Sequence, residues 1–162
     1  MKTIALASRL NLTIYLAAFF IPLLFTHPQI ITGTIVNALI FTAAGKMSKK
    51  IAWPVLVLPS LGAVSRGLLF GPLTFFLVYF LPFIWLGNYA EFVLFQLTPN
   101  QPYAVRIGLA AAAKYLLLLG AANVYFQLQI VPRGFITSMG LTQLITAVLG
   151  GLVAYLWLKP KN

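Results

Sequence analysis

One acidic side chain, one histidine and no cysteine occur in 162 residues, against eleven Lys and Arg. General acid–base catalysis needs paired titratable groups, and nucleophilic catalysis needs a nucleophile with its base. A metal centre needs clustered Cys, His or carboxylate ligands. None of these sets can be assembled from Glu91 and His27 alone. The sequence therefore predicts no catalytic residue, no metal site and no cofactor, and it argues against an enzyme. Without Cys, disulfides and thiolate chemistry are excluded. Two charges invite a chemical explanation because both fall inside apolar runs. They are Glu91 and Lys114, the latter within Ala110-Ala111-Ala112-Ala113-Lys114-Tyr115. Opposite charges embedded in apolar sequence point to an ion pair bordering a polar cavity.

The elements that must position this pair are membrane spans. The chain is 61% hydrophobic and only 7% charged, outside the usual range for a soluble domain. Its apolar runs are separated by a few polar residues, so the surrounding solvent is lipid. The expected fold is an all-α integral membrane bundle, a single domain over residues 1–162. Its six transmembrane helices fall at about 8–25, 28–44, 51–64, 71–97, 104–125 and 135–158. The second and third are short against the roughly 20 residues needed to cross a bilayer. The fourth is expected to kink at Pro82. The N-terminal stretch has Lys2 and Arg9 ahead of an apolar run but no small-residue cleavage site, so it reads as a retained first helix.

Charge decides the sidedness. Six crossings put Lys2, Arg9, Lys46, Lys49, Lys50, Arg106, Lys159 and Lys161 inside, and only Arg66 and Arg133 outside. That asymmetry satisfies the positive-inside rule with both termini cytoplasmic, whereas splitting the fourth span at Pro82 would lose most of it. Trp53, Tyr103 and Trp157 lie near the inner ends and Tyr125 near an outer end, where amphipathic rings suit the headgroup layer. The net charge of +10 lies in small juxtamembrane groups. These suit anionic lipid rather than nucleic acid, which would require a basic stripe on a soluble face.

Lys114 lies about ten residues into the fifth span, near mid-membrane at about 1.5 Å rise per residue. A lysine at that depth costs about 3 kcal/mol on insertion scales and calls for a partner or a wet cavity. Glu91 and Asn88 lie on the preceding, antiparallel span, within reach of it. The competing readings are a Lys114 that snorkels to the interface and a Glu91 that reaches headgroups or is protonated. A second polar set clusters toward the outer half: His27, Gln29, Thr32, Asn37, Arg66, Asn123, Gln127 and Gln143. Amides in lipid need partners, and a cavity offering donors and acceptors suits a small polar solute. The expected solute contacts are His27, Gln29, Asn37, Asn88, Lys114, Asn123 and Gln143, with Lys114 favouring an acidic group. Each has a plainer role as well: His27 as a helix-start residue, Asn37 and Gln143 as interhelical hydrogen-bonding groups, Arg66 and Arg133 as headgroup contacts. The stretch from Pro59 through Gly62 and Gly67 to Gly71-Pro72 predicts a broken, re-entrant piece able to act as a lid. Ala104, Gly108 and Ala112 form a small-residue stripe suited to close helix packing, as do Gly140, Gly150 and Gly151.

Several segments carry a likeness to a known family. They are His27-Pro28-Gln29-Ile30-Ile31-Thr32-Gly33 through Asn37, Leu58-Pro59-Ser60 through Gly67, Pro82-Phe83-Ile84-Trp85-Leu86-Gly87-Asn88, and Gln143 through Gly151. Together with six spans in 162 residues, they resemble the substrate-binding S subunits of energy-coupling-factor transporters, the small vitamin and micronutrient receptors of prokaryotes. The resemblance implies a multi-pass cell-membrane subunit that captures a small solute from outside. It also implies a separate transmembrane coupling subunit and cytoplasmic ATPases as partners. No Gly-rich phosphate loop is present, so ATP use would belong to those partners. The first helix carries Ala5, Ala7, Ala17 and Ala18 without the family's Ala-x-x-x-Ala spacing. Two other readings stand beside solute capture: a stand-alone permease or exporter with Glu91 as proton-coupling group, and a non-transporting membrane assembly protein.

Overall fold

A computed structural model describes residues 2–25, 28–70 and 76–158. Among the described residues the chain is entirely helical. It comprises α1 (Lys2–Leu24), α2 (Gln29–Lys46), α3 (Lys49–Phe70), α4 (Leu77–Leu97), α5 (Tyr103–Gln127), α6 (Gly134–Met139) and α7 (Leu141–Leu158). Three stretches are long and apolar enough to cross a membrane: Leu77–Leu97, Tyr103–Gln127 and Gly134–Leu158; Arg9–Leu24 is a shorter apolar helix. The largely apolar interior also encloses polar and charged side chains, and the outside is rich in large apolar ones. Glu91, Lys114, Asn37, Asn88 and Thr146 are buried while Leu116, Leu152, Leu156 and Trp157 are exposed, the polarity expected of helices solvated by lipid.

Two elements depart from the expected spans. The third does not break after Pro59: α3 runs for 22 residues, to Phe70, with Pro54 and Pro59 inside it. Each proline removes a donor from the helical ladder. Side chains add donors beside the gap: Ser60 Oγ donates to the Val57 carbonyl at 2.9 Å and Asn88 Nδ2 to the Leu56 carbonyl at 2.7 Å. The proposed lid segment is helix up to Phe70, and its end at Gly71-Pro72 lies outside the described residues. The sixth span, expected as one helix, divides at Gly140 into α6 and α7. A Cβ at Gly140 would lie 2.6 Å from the Ile136 carbonyl oxygen and 2.9 Å from Leu119 Cδ1. The Ile136 carbonyl of α6 is the rigid obstacle to a side chain at this break. Pro82 lies within an uninterrupted α4.

Three pairings dominate the packing: α1 on α3, α2 on α7, and α4 on α5. Gly33 packs on Thr146, Asn37 on Gly150 and Gly45 on Leu158, so α2 and α7 run parallel in constant register. Helices α4 and α5 run antiparallel, with Phe80 against Tyr125 and Phe95 against Tyr103. Side chains from neighbouring helices close the helix ends, whose last carbonyls lack intrahelical donors. Arg66 donates to the Leu23 and Leu24 carbonyls of α1 at 3.1 and 2.8 Å. Gln96 donates to the Ala44 and Met47 carbonyls at the end of α2, both at 3.1 Å. Arg106 donates to the Phe95 carbonyl at 2.9 Å and lies 3.9 Å from the Phe95 ring centroid. These contacts gather the ends of α2 and α4 and the start of α5 at one end of the bundle, with Lys46, Lys49, Lys50 and Arg106. Arg66 lies at the opposite end.

The expected stripe of Ala104, Gly108 and Ala112 does not form a helix contact. A Cβ at Gly108 would meet nothing within 4 Å, and Ala104 is exposed. The packed face of α5 is instead Ile107, Ala110, Ala111, Lys114, Leu118, Ala121 and Ala122. That spacing follows the helical period, and it includes the lysine.

Candidate solute site at a buried ion pair

Lys114 is on the inward face of α5 because its neighbours one turn away, Ala110, Ala111 and Leu118, are the apolar residues that pack into the bundle. Its stem runs past the bare backbone of Gly87 on α4, where an added Cβ would lie 3.3 Å from Lys114 Cγ. The ammonium ends 2.8 Å from Glu91 Oε2. Lys114 is 2% exposed and Glu91 is fully buried, so neither charge snorkels to an interface. Along α4 and α5 the pair lies between two apolar clusters. One contains Phe92, Phe95 and Ile107, the other Phe80, Leu118 and Ala122.

Asn37 of α2 completes the ammonium's surroundings by accepting a hydrogen bond from Lys114 Nζ at its side-chain oxygen. Its amide nitrogen donates to the Gly33 carbonyl at 2.8 Å and to Thr146 Oγ1 of α7 at 3.2 Å. Thr146 in turn donates to the Gln143 carbonyl at 3.2 Å. One continuous network thus joins α2, α4, α5 and α7. The glycines of the α2–α7 seam bring its members together: a Cβ at Gly150 would lie 2.5 Å from Asn37 Cβ, and one at Gly33 2.9 Å from Thr146 Cγ2.

The energetics are finely opposed. Desolvating each ion costs several kcal/mol, offset only where geometry and added hydrogen bonds are good. Glu91 Oε2 and Asn37 supply both to Lys114. Glu91 is less well served, because its other oxygen, Oε1, is buried without a hydrogen-bond partner among the described residues. An unmet buried acceptor costs about 1–3 kcal/mol, more when charged. Thr34 Oγ1 is the other such atom.

The structure divides the residues expected to share one cavity. Asn37 joins Lys114 and Glu91 rather than an outer set. Asn88 is buried and donates to the Leu56 carbonyl of α3, while the Lys114 ammonium bonds Glu91 and Asn37. Gln29 and Gln143 converge from α2 and α7 on a single acceptor, the Ser138 carbonyl at the α6–α7 break, at 3.5 and 3.3 Å. Asn123 donates to Leu119 of its own helix at 2.8 Å. Arg66 closes the end of α1, and Thr32 donates to the Phe25 carbonyl. His27 lies outside the described residues. Thr146 was not expected at all. The signal available for it is helical spacing, because it lies one turn from both Gln143 and Gly150 and so shares their face.

No protein-family profile, curated protein or solved structure matches the chain.

The site's chemistry must therefore be read from its own groups. The positive charge of Lys114 is answered at 2.8 Å by Glu91, so the network carries no surplus charge with which to attract a carboxylate. Among the described residues no group of three His, Cys, Asp or Glu side chains assembles as a metal site. What the arrangement offers is hydrogen bonding in a buried interior.

Proposed function

We propose that this protein is a membrane-embedded binding subunit that captures a small polar solute from outside a prokaryotic cell for uptake. In this reading it spans the membrane six times with both termini cytoplasmic. It works as the S subunit of an energy-coupling-factor type system, with a separate transmembrane coupling subunit and cytoplasmic ATPases. It is not an enzyme and needs no resident cofactor. The observation that carries the reading is the buried Asn37–Lys114–Glu91 network, built from three helices with Glu91 Oε1 unmet. Ionisable groups in a membrane interior are costly and mark solute or ion pathways. A bundle needing only stability would be served as well by apolar residues of similar volume.

The paired amides of Gln29 and Gln143 at the Ser138 carbonyl form the outer approach. An amide exchanges one acceptor for another at little cost, so these side chains can pass a polar solute toward the network. An acidic solute, expected from Lys114 alone, is disfavoured because Glu91 already holds that charge. Native mass spectrometry of the purified protein is the direct test, with a bound small molecule as the expected result. Absence of any bound solute, with uptake unchanged on deletion of the chain, overturns the proposal in favour of a non-transporting assembly protein.

The unmet oxygen of Glu91 favours one second reading, a stand-alone permease or exporter in which Glu91 couples transport to protons. The two are separated by deleting the ATPase partner. Uptake that stops supports the binding subunit, and transport that persists but collapses with the proton gradient supports the permease.

A further inference from the structure

We infer that the solute of this site is net neutral and presents a hydrogen-bond donor beside an acceptor, as along one edge of a cyclic amide or urea, to Glu91 Oε1 and Lys114 Nζ. The inference rests on the solute-binding reading and narrows it to a chemical class.

It follows from counting the valences of the network. Asn37 has no donor left, because both amide hydrogens are engaged; its carbonyl oxygen accepts from Lys114 and keeps one acceptor position. An ammonium carries three donors, and two acceptors meet it, Asn37 Oδ1 and Glu91 Oε2. A carboxylate has about four acceptor positions on two oxygens, and one of those oxygens has no hydrogen-bond partner among the described residues. The open positions are therefore one donor, on Lys114, and acceptors on Asn37 and Glu91; Glu91 Oε1 is the network oxygen with no partner at all among the described residues, and a 2.8 Å ion pair holds its carboxylate beside that donor. Charge then selects among ligands. A carboxylate that took Lys114 would strand Glu91 as an uncompensated buried anion, and an amine that took Glu91 would strand Lys114; either outcome is strongly unfavourable. A neutral edge that accepts from Lys114 and donates to Glu91 leaves the ion pair intact and fills both openings.

The composition supplies a site-specific probe. Glu91 is the only acidic side chain, so its carboxylate stretching band in the infrared spectrum is isolated by subtracting the Glu91→Gln variant. The full-length protein in nanodiscs is titrated with 2-imidazolidinone and 2-pyrrolidinone, and with propionate and ethylammonium as charged controls. The band and the unfolding temperature are followed together. The expected result is a band shift and stabilisation with the cyclic urea and lactam, with both charged probes at least about tenfold weaker, the cost of one lost hydrogen bond to a charged group. The Lys114→Met/Glu91→Gln double variant removes both charges at once, so it keeps the fold while losing the binding. A band unmoved by the neutral probes, meaning that Oε1 holds only water, overturns the inference; so does propionate or ethylammonium binding as tightly. A co-purifying solute that is a carboxylic acid or a cation also overturns it while leaving the solute-binding reading intact. Absence of any bound solute, with uptake unchanged on deletion of the chain, overturns both.

Discussion

At the scale of single residues, the ion pair is worth more as a pair than as the sum of its members. Lys114→Met leaves Glu91 buried without a counter-ion, and Glu91→Gln leaves Lys114 in the same position. Each single substitution is expected to destabilise by about 3–5 kcal/mol, while the double variant recovers most of that loss. A thermal or denaturant unfolding cycle on the four proteins measures the coupling, and additive effects would show that the pair contributes nothing as a unit. Asn37→Leu removes the acceptor of Lys114 and the donor to Thr146 together. It is expected to cost about 1–3 kcal/mol in the same unfolding assay. The pair was legible in the sequence because Lys114 and Glu91 sit deep in apolar runs on consecutive spans. The third member was not, because depth along a helix says nothing about which way it is rotated. Asn37 was placed by depth with the outer amides, and rotation carries it to Lys114. Thr146 gave no signal of its own, since a threonine in an apolar helix usually bonds its own backbone.

At the scale of elements, the α2–α7 seam is set by glycine. Gly150→Ala puts a methyl 2.5 Å from Asn37 Cβ and 2.7 Å from the Ala38 backbone nitrogen, neither of which is a flexible chain end. The helices must part, at an expected cost of about 1–3 kcal/mol. The matched control is Gly108→Ala, where nothing lies within 4 Å; it is expected to stabilise by about 0.5–1 kcal/mol, the gain of Ala over Gly inside a helix. Unfolding temperatures of the two variants decide the matter, and equal effects would refute the seam. The contrast also marks a limit of sequence reading. Gly150-Gly151 and Ala104-Gly108-Ala112 look equally suited to packing, yet only the first meets a neighbour, because the periodicity of an all-apolar helix does not say which face is lipid. Helix α3 failed in the opposite sense. Proline and glycine predicted a break, yet the segment is helical through Pro54 and Pro59, with Ser60 and Asn88 of α4 donating to the neighbouring Val57 and Leu56 carbonyls.

At the scale of the whole molecule, the proposed six-span arrangement predicts which loops share a side. The chain has no native cysteine, so single replacements report cleanly. Ser48→Cys and Asn100→Cys are expected to react with an impermeant maleimide only from the cytoplasmic side, and Arg133→Cys only from outside. Labelling of Ser48→Cys and Arg133→Cys from the same face would break the topology. The helical class and the positions of the apolar runs were legible because lipid imposes them through composition and length. The pairing of α2 with α7 was not, because it joins segments far apart in the chain and no local pattern records it.

That pairing bears on how the protein is made. Glu91 and Lys114 belong to consecutive helices joined by a short turn, so they can enter the bilayer together as a neutral hairpin. Asn37, inserted earlier, must wait for Thr146 on the last helix before its amide nitrogen reaches that hydroxyl. A nascent chain halted after α5 therefore leaves α2 without the helix that covers Gly33 and Asn37. In such a fragment the polar notch at Asn37 stays uncovered until α7 arrives.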